Sequence, residues 1–466
     1  MAAGGAGSKT VPREGRQEAE GAMDGERQAT GPAVSARAKQ GSEARDSRWE
    51  WAEASIWTER MRSALGNGVK GGKWFSLIDK VVRPQTLEIA WAKVHANRGA
   101  AGVDGQSVER FAARSEAYLR ELGQSLRERC YRPDPVKRVE IPKGGGKTRP
   151  LGIPTVKDRI VQTAVKMVIE PIFETQFRAG SYGFRPGRGA KDALREVDRL
   201  VREGCVHVVD ADLASYFDTI PHARLMTRVE EKISDGAILS LIAGFLEQDI
   251  MTETAAWRPA AGTPQGAVLS PLLANIYLHP LDLLMEERGR KMVRYADDFV
   301  ILCRTEAEAA AALGEIKAWT AANGLTLHPD KTRIGDCSRP GQGFEFLGYR
   351  FEAGRRHVRD KSRRAVRDKV REKTRRTRGD AMARIVADLN PMLRGWFEYF
   401  KHAAPSEFRA LDGFVRRRLR AILRKQEKRP GFGRCADDHQ RWPNAFFANL
   451  GLFTLATARE QARPSR

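Results

Sequence analysis

The sequence predicts an α+β protein that ends in a basic, helical region. From Val136 to about Phe351, short β-rich runs alternate with helical stretches, which is typical of a mixed domain. Beyond residue 355 the strand pattern disappears, and apolar residues recur at helical spacing, for example Leu393, Trp396, Phe397 and Phe400. The third observation is charge, since 81 Lys and Arg face 59 Asp and Glu, a net charge of +22.

The charge excess predicts a polyanionic partner. It is concentrated at positions 351–430, which hold 25 Lys and Arg against 10 Asp and Glu. Nucleic acid is favoured over a membrane surface, because no apolar run reaches the ~18 residues of a spanning helix. The N-terminus also lacks the pattern of a signal peptide.

The cysteines predict no covalent framework. They are odd in number, widely spaced and without a C-x-x-C pair: Cys130, Cys205, Cys303, Cys337 and Cys435. This argues against a disulfide scaffold or a zinc knuckle and favours a reducing cytoplasm.

Local patterns place the elements in order. Residues 1–45 have almost no large apolar side chains and are predicted to be disordered. An amphipathic pattern runs from Trp49 to Lys80, and helices are expected at about 84–97, 107–129, Val156–Phe177 and Leu272–Leu278. Strands are expected at Arg138–Ile141, Val206–Asp212, Met292–Val293, Phe299–Leu302 and Phe346–Phe351. The predicted division is an N-terminal extension at 46–135 that already includes the start of the mixed domain, and the main part of the mixed domain at 136–355. A basic linker or start of the helical domain at 356–375 is followed by the helical domain at 376–456 and a tail at 457–466.

The most informative motif is Tyr295-Ala296-Asp297-Asp298, which lies between two apolar strands and predicts a hairpin with a paired-carboxylate tip. A second acidic strand end, Asp210-Ala211-Asp212, lies upstream. Together, the two tips could hold two Mg²⁺ ions, with Mn²⁺ as a substitute, and clamp the oxygens of a phosphoryl transfer. Asp212 and Asp297 are then expected to bind both ions, and Asp298 to support the site. Most isolated Asp-Asp pairs are solvated turn residues, but the apolar strands on both sides argue against that interpretation here.

One aromatic and one amide side chain are candidate nucleotide contacts. Phe217 follows Asp212 by five residues and could exclude a sugar 2′-hydroxyl, although an aromatic core residue is an equal alternative. Gln265 lies in Pro264-Gln265-Gly266 and could position a nucleotide or template. This segment also predicts a helix start capped by Ser270, with Pro271 as the first helical residue.

Cations near glycine-rich turns offer further contacts with phosphate. Lys143, Lys147 and Arg149 belong to a loop that could close over a triphosphate, or form a solvated hairpin turn. It is not a P-loop, because Ile141 stands where the first glycine is required. Lys331 follows a predicted short strand and could protonate pyrophosphate as a general acid, or be a surface lysine.

In this order, the motifs resemble those of bacterial group II intron-encoded reverse transcriptases. The matching segments are Lys-x-Arg-Pro-Leu-Gly-Ile-Pro at 147–154, Ser-Tyr-Gly-Phe-Arg-Pro-Gly-Arg at 181–188, the acidic strand at 209–218, Pro-Gln-Gly at 264–266, Tyr-Ala-Asp-Asp at 295–298, Gly324 with Lys331-Thr332, and Phe-Leu-Gly-Tyr at 346–349. Residues 389–400 resemble the start of the family's maturase, or thumb, domain.

This resemblance implies a right-hand polymerase, with fingers and palm at 136–355 and a helical thumb after them. It implies RNA-templated DNA synthesis, in which a DNA primer is extended with deoxynucleoside triphosphates at a DNA target site during retrohoming. It also implies that the protein binds a group II intron RNA and promotes its splicing. The metal set is Asp212, Leu213, Asp297 and Asp298, with Lys331 also catalytic, and the nucleotide contacts are Lys143, Lys147, Arg149, Phe217 and Gln265. The expected nucleic-acid contacts are Arg185, Arg188, Arg416, Arg417, Arg418, Arg420, Arg424 and Lys425.

Two other functions stay open from the sequence: a splicing cofactor without polymerase activity, and a reverse transcriptase used in phage defence, retrons or diversity generation. The intact acidic residues disfavour the first, and the extended thumb disfavours the second. The chain lacks the paired cysteines of the family's C-terminal endonuclease, so we expect priming from nascent DNA strands. The oligomeric state is left open.

Overall fold

The computed structural model describes residues 49–462 except 145–146, 253 and 434, with the side chains of 143, 144 and 147 also left out. The predicted disorder of residues 1–45 therefore lies outside the described residues. Within them, no helix is long and apolar enough to cross a membrane.

The first half of the described chain begins with helices and leads into the first two strands. Its elements are α1 (Glu59–Asn67), α2 (Ile78–Val81), α3 (Pro84–Asn97), α4 (Val108–Ala112), α5 (Ser115–Arg127), β1 (Val136–Gly144), β2 (Lys147–Ile153), α6 (Val156–Glu174), α7 (Ala190–Arg202), β3 (His207–Asp212), α8 (Tyr216–Thr219), α9 (His222–Glu230), α10 (Gly236–Leu246), β4 (Ile250–Met251) and β5 (Ala256–Trp257).

The second half contains the acidic hairpin and the C-terminal helices. Its elements are α11 (Ser270–Glu287), β6 (Lys291–Tyr295), β7 (Asp298–Cys303), α12 (Glu306–Ala322), β8 (Arg333–Asp336), β9 (Phe344–Phe346), β10 (Tyr349–Glu352), β11 (Arg355–Val358), α13 (Asp360–Lys373), α14 (Met382–Phe400), α15 (Pro405–Gln426), α16 (Ala436–Arg441), α17 (Asn444–Asn449) and α18 (Leu455–Gln461).

The strands form three sheets in the described part of the chain. The central sheet has the order β6-β7-β3-β8 and is antiparallel throughout. A second sheet, β2-β1-β4-β5, pairs β1 with β4 in parallel, and a third is β11-β10-β9. The mixed helix and sheet content agrees with the predicted α+β class.

The central sheet is covered on both faces, because its strands alternate between two cores. Val209, Ala211 and Ile301 pack with the helices that precede and follow β3, including α6 and α11. Val208, Val300 and Leu302 pack instead into a core shared with the C-terminal helices, including α14 and α15. The sheet thus separates a core that includes α6 and α11 from a core that includes α14 and α15.

Several predicted elements need correction. The helix expected at 107–129 is broken into α4 and α5 around Ala113 and Arg114. The strand expected at Phe346–Phe351 is a hairpin instead, because Leu347 (φ 48°) and Gly348 (φ 84°) both adopt the left-handed conformation of a tight turn. Alternating apolar residues fit either arrangement, so only the turn conformation separates them.

Two predictions about helix and strand ends are also wrong. Ser270 is the first residue of α11, and its hydroxyl donates to the Pro264 carbonyl at 2.9 Å instead of capping the helix. The strand expected before Lys331 is reduced to one isolated bridge between Leu213 and Leu327. The basic segment 356–375 contains α13, so most of it is helical.

Candidate active site

The acidic hairpin forms as the sequence predicts. β6 and β7 pair antiparallel up to Tyr295 and Asp298, which leaves Ala296 and Asp297 as a two-residue turn. Ala296 has φ 60°, in the left-handed region that tight hairpin turns require. Asp297 therefore lies at the tip, and Asp298 begins the returning strand.

The central sheet brings the second acidic strand end to this turn. β3 pairs with β7, and Asp212 lies directly opposite Asp298 at the end of the ladder. Directly opposed residues of an antiparallel pair project to the same face of the sheet. The sheet thus brings Asp212 to Asp297 and Asp298, which lie more than 80 positions later in the sequence.

Burial and mutual repulsion raise the pKa values of these carboxyl groups. Burial raises the pKa of Asp298 to about 7, with Asp210, Asp297 and Asp212 contributing further repulsion. Burial also raises the pKa of Asp297, helped by Asp212 and opposed by Lys331. A site with this much unrelieved negative charge is suited to bind a cation.

Asp210 is a member of this acidic group to which sequence reasoning gave no role. Burial raises its pKa to about 6, and Arg333 lies 3.8 Å from its Oδ2. The signal was present in the sequence, because residues two apart in a strand share a face.

Lys331 is brought to Asp212 through main-chain bonds. The amide of His328 donates to the Asp212 carbonyl at 2.7 Å, and that of Ala214 donates to the Thr326 carbonyl at 2.8 Å. These bonds carry the Lys331 ammonium to the Asp212 carboxylate, with which it forms an ion pair. In this structure Lys331 neutralises one expected metal ligand.

The acidic group fits a hard divalent cation by donor type. No group of three or more His, Cys, Asp or Glu side chains in the described ranges is already arranged around a metal position. Carboxylate oxygens nevertheless are the ligands that Mg²⁺ and Mn²⁺ prefer. Leu213 could add only its main-chain carbonyl, since its side chain is apolar and the residue is buried.

The predicted nucleotide contacts lie on segments that pack against one another. Thr263, just before the Pro-Gln-Gly motif, donates its amide to the Phe217 carbonyl at 2.6 Å. On the motif's other side, the Gly152 amide donates to the Gln265 carbonyl at 2.7 Å. Phe217 and Gln265 are both partly buried, so each retains some accessible surface.

The glycine-rich segment is a hairpin of β1 and β2. Arg149 is exposed and lies opposite Ile141 in the ladder. Lys143 and Lys147 belong to the two strands, but their side chains lie outside the described part, as does the tip at 145–146. The pairing of β1 with β2 is compatible with a loop that contacts a triphosphate and with a solvated turn, so both predictions stay open.

The structure contradicts two of the predicted nucleic-acid contacts. Arg185 is 6% exposed, and its guanidinium makes a fork with Glu174 and donates to the carbonyls of Arg178 and Ser181 at 2.6 Å. Arg420 is 2% exposed and donates to the Trp442 carbonyl and the Asn444 side chain. Both guanidinium groups are structural, because their donors are used inside the protein.

The other predicted basic contacts differ in how accessible they are. The guanidinium of Arg424 forms an ion pair with buried Asp438 at 2.6 Å, which leaves fewer of its donors for nucleic acid. Arg418 donates to the side chain and carbonyl of Thr374. Lys425 is exposed, and Arg188, Arg416 and Arg417 are partly buried.

Two family models match this chain. The model described as reverse transcriptase (RNA-dependent DNA polymerase) matches residues 141–351, which include the whole acidic group. The model described as group II intron, maturase-specific domain, matches residues 363–442. Protein YkfC of Escherichia coli strain K12 is 35% identical over 350 residues, which cover 64% of this chain and 88% of that protein.

The chain belongs to the group II intron reverse transcriptase and maturase family.

Another relative of this reverse transcriptase is the group II intron-encoded protein LtrA of Lactococcus lactis subsp. cremoris. It is 38% identical over 217 residues, which cover 46% of this chain and 36% of LtrA. Among solved structures, the partial Cas6-RT-Cas1–Cas2 complex matches with a TM-score of 0.34 and 23% identity, covering 53% of this chain and 42% of that chain. A similarity of that size carries no argument about the fold.

Proposed function

We propose that this reverse transcriptase extends a DNA primer on an RNA template with the Asp212, Asp297 and Asp298 carboxylates as its metal site. The observation that carries the proposal is the pairing of Asp212 with Asp298 across neighbouring strands, with Asp297 in the adjoining turn. The family match supports RNA-directed DNA synthesis, and the raised pKa values support a cation site.

In the proposed reaction, the oxygen of a primer 3′-hydroxyl attacks the α-phosphate of a deoxynucleoside triphosphate and loses its proton to solvent water. The bond between the α-phosphorus and the oxygen that bridges to the β-phosphate breaks, and pyrophosphate leaves. Two Mg²⁺ ions bound at this site would lower the pKa of the attacking oxygen and neutralise the leaving pyrophosphate. Asp212 and Asp297 would hold the ions, and Asp298 would support the site from the start of β7. Lys331 leaves its ion pair with Asp212 and donates a proton to pyrophosphate.

The fingers and palm of a right-hand polymerase would supply the substrate contacts. The β1–β2 hairpin, with Lys143, Lys147 and Arg149, would cover the triphosphate. Phe217 would limit space at the sugar 2′-position, and Gln265 would position the base pair from the loop that packs on β2. The helices from α13 onward would act as the thumb and hold template and primer through phosphates.

The first test is Mg²⁺-dependent extension of a DNA primer on an RNA template. We expect the parent to extend and Asp297→Ala to lose at least about 1,000-fold of the rate, because one direct ligand is removed. Asp437→Ala, at an exposed position in α16, is the matched control and should extend like the parent. A folded parent that leaves the primer unextended would contradict the proposal.

A second proposed role is splicing of the parent intron RNA, which the maturase-domain match supports. We further propose that splicing takes place in the cytoplasm and that retrohoming into a DNA target follows it. This role needs RNA binding but no nucleotidyl transfer. We expect the Asp297→Ala, Asp298→Ala double variant to splice at the parent's rate in a self-splicing assay at limiting Mg²⁺. Loss of splicing in a variant that still binds the RNA would tie the two roles to one site.

A further inference from the structure

A buried arginine lies next to the acidic turn. Arg294 is in β6, three residues before Asp297, and is 0% exposed. Its guanidinium makes a two-bond fork with Asp282 of α11, at 2.7 and 2.5 Å. Its remaining described bonds go from one nitrogen, Nη1, to the Asn275 side chain and to the Ala296 carbonyl, both at 2.9 Å.

The Ala296 carbonyl is a sensitive point of the turn. It belongs to the peptide group that links Ala296 to Asp297, so its direction sets the backbone from which the Asp297 side chain projects. Ala296 holds φ 60°, a conformation that residues with a Cβ adopt rarely and keep when their surroundings determine it. By donating to the Ala296 carbonyl, buried Arg294 helps to hold Ala296 in this conformation.

The opposite side of the turn is confined by Gly183. A Cβ atom at this position would lie 2.3 Å from the Ala296 nitrogen, so only glycine fits. Asn275 donates to the Gly183 carbonyl at 2.8 Å and also accepts from Arg294. One α11 side chain therefore connects both supports of the turn.

The chemistry of the group requires an arginine. A guanidinium has donors in a planar fork, which can serve a carboxylate, an amide oxygen and a carbonyl at the same time. A lysine ammonium has three donors on one nitrogen and cannot span these three acceptors. Asp282, with 3% of its side chain exposed, neutralises the buried charge.

We propose that Arg294 is a positioning residue for the metal site: held by Asp282 and Asn275, it fixes the Ala296 carbonyl and thereby the placement of Asp297 and Asp298. The inference rests on the proposed function. Arg294 itself is 0% exposed and donates to the Ala296 carbonyl, so we place its effect in the geometry of the turn.

The decisive variant tests whether Arg294 positions the turn or only stabilises the fold. Arg294→Met combined with Asp282→Leu replaces the buried ion pair by apolar side chains, a change that often preserves stability. It removes the bond to the Ala296 carbonyl and leaves no unpaired charge. Arg294→Lys is the second variant, which keeps the charge and loses the fork.

The matched control is Arg290→Lys. Arg290 precedes the same strand and makes an equivalent fork with Glu315, at 2.8 and 3.1 Å, but it lies at the other end of β6 from the turn. Its replacement removes the same kind of bond without touching Ala296.

Four quantities should be measured on each folded variant: the melting temperature, the kcat and the KM of primer extension, and the Mn²⁺ affinity by electron paramagnetic resonance without nucleotide. We expect the double variant to melt near the parent's temperature while kcat falls on the order of 100-fold, as for a small displacement of catalytic groups. Mn²⁺ affinity should fall as well, and the KM for nucleotide should change little, because the nucleotide contacts are untouched. Arg294→Lys should show the same pattern, and Arg290→Lys should match the parent.

Parent values of kcat and Mn²⁺ affinity in the double variant would overturn the inference. If the double variant fails to fold, parent values in Arg294→Lys would overturn it equally. If the parent itself does not extend a primer, the proposed function fails separately, and the Mn²⁺ titration still decides whether Arg294 positions the turn.

Discussion

Asp158 shows how a single buried side chain ties distant segments together. It is 0% exposed in α6 and accepts from the Tyr131 hydroxyl at 2.5 Å. It also accepts from the Asp134 amide at 3.0 Å and the Gln248 side chain at 3.2 Å. These bonds join the chain entering β1 to α6 and to the segment between α10 and β4.

Burial raises the pKa of Asp158 from its ordinary 3.8 to about 6, so this residue makes stability depend on pH. The folded protein binds the proton more tightly than the unfolded chain does. The resulting stabilisation is complete below about pH 4 and is lost as pH rises through about 6. Its full size is roughly 3 kcal/mol.

Asp158→Asn should flatten this dependence between pH 4 and 6. The amide resembles the protonated acid: its oxygen can accept both N–H groups, and its nitrogen can donate to Tyr131. Urea unfolding at pH 4.5 and 7.5 measures the change, with Asp437→Asn as the exposed control. An unchanged slope in Asp158→Asn would show that another group carries the pH dependence.

Among the elements, α14 illustrates what local patterns decide. Its apolar stripe predicted a helix, and Leu393, Phe397 and Phe400 are indeed buried on one face. The contact that docks this helix was not predictable: Tyr399 donates to the Leu347 carbonyl at 2.8 Å, in the turn of the unexpected β9–β10 hairpin. The apolar pattern of a helix is a local property, whereas the position in which α14 packs depends on the conformation of the distant β9–β10 turn.

The exposed glycine of α14 offers a stability prediction at the same scale. A Cβ at Gly395 would meet nothing within 4 Å, and the residue is helical. Gly395→Ala should stabilise the protein by about 0.5–1 kcal/mol, because alanine loses less backbone entropy in a helix. Thermal or urea unfolding measures it, and a loss of stability would mean that Gly395 has a packing role.

At the scale of the whole molecule, the charge of +22 predicts binding that depends strongly on salt. The structure refines which side chains contribute, because Arg185 and Arg420 are buried while Lys425 is exposed. Arg418 and Arg424 are partly buried and hydrogen-bonded within the protein, so they are less available to nucleic acid than Lys425 and more available than Arg420.

Lys425→Ala and Arg420→Ala should therefore behave differently. The first should reduce the slope of log affinity for an RNA–DNA duplex against log salt by about 1, with stability unchanged. The second should leave the slope intact and lower stability by roughly 1–3 kcal/mol, since it removes the donor to the Trp442 carbonyl, an acceptor of a buried residue. Titrations at several salt concentrations, with urea unfolding, separate the two effects. An altered slope for Arg420→Ala would contradict its structural assignment.

Local patterns in the sequence were sufficient to predict the α+β class, the helical basic end and a hairpin with Asp297 and Asp298 at its tip. These follow from periodicity and from residue order, which are local properties of the chain. The folded chain was needed to show that Asp212 lies opposite Asp298 and pairs with Lys331. It was also needed to show that Arg185 and Arg420 turn inward and that Arg294 holds the Ala296 carbonyl. The reason is that a charged residue has the same letter whether it faces water or a buried partner, and that partner is chosen by packing between segments far apart in the chain.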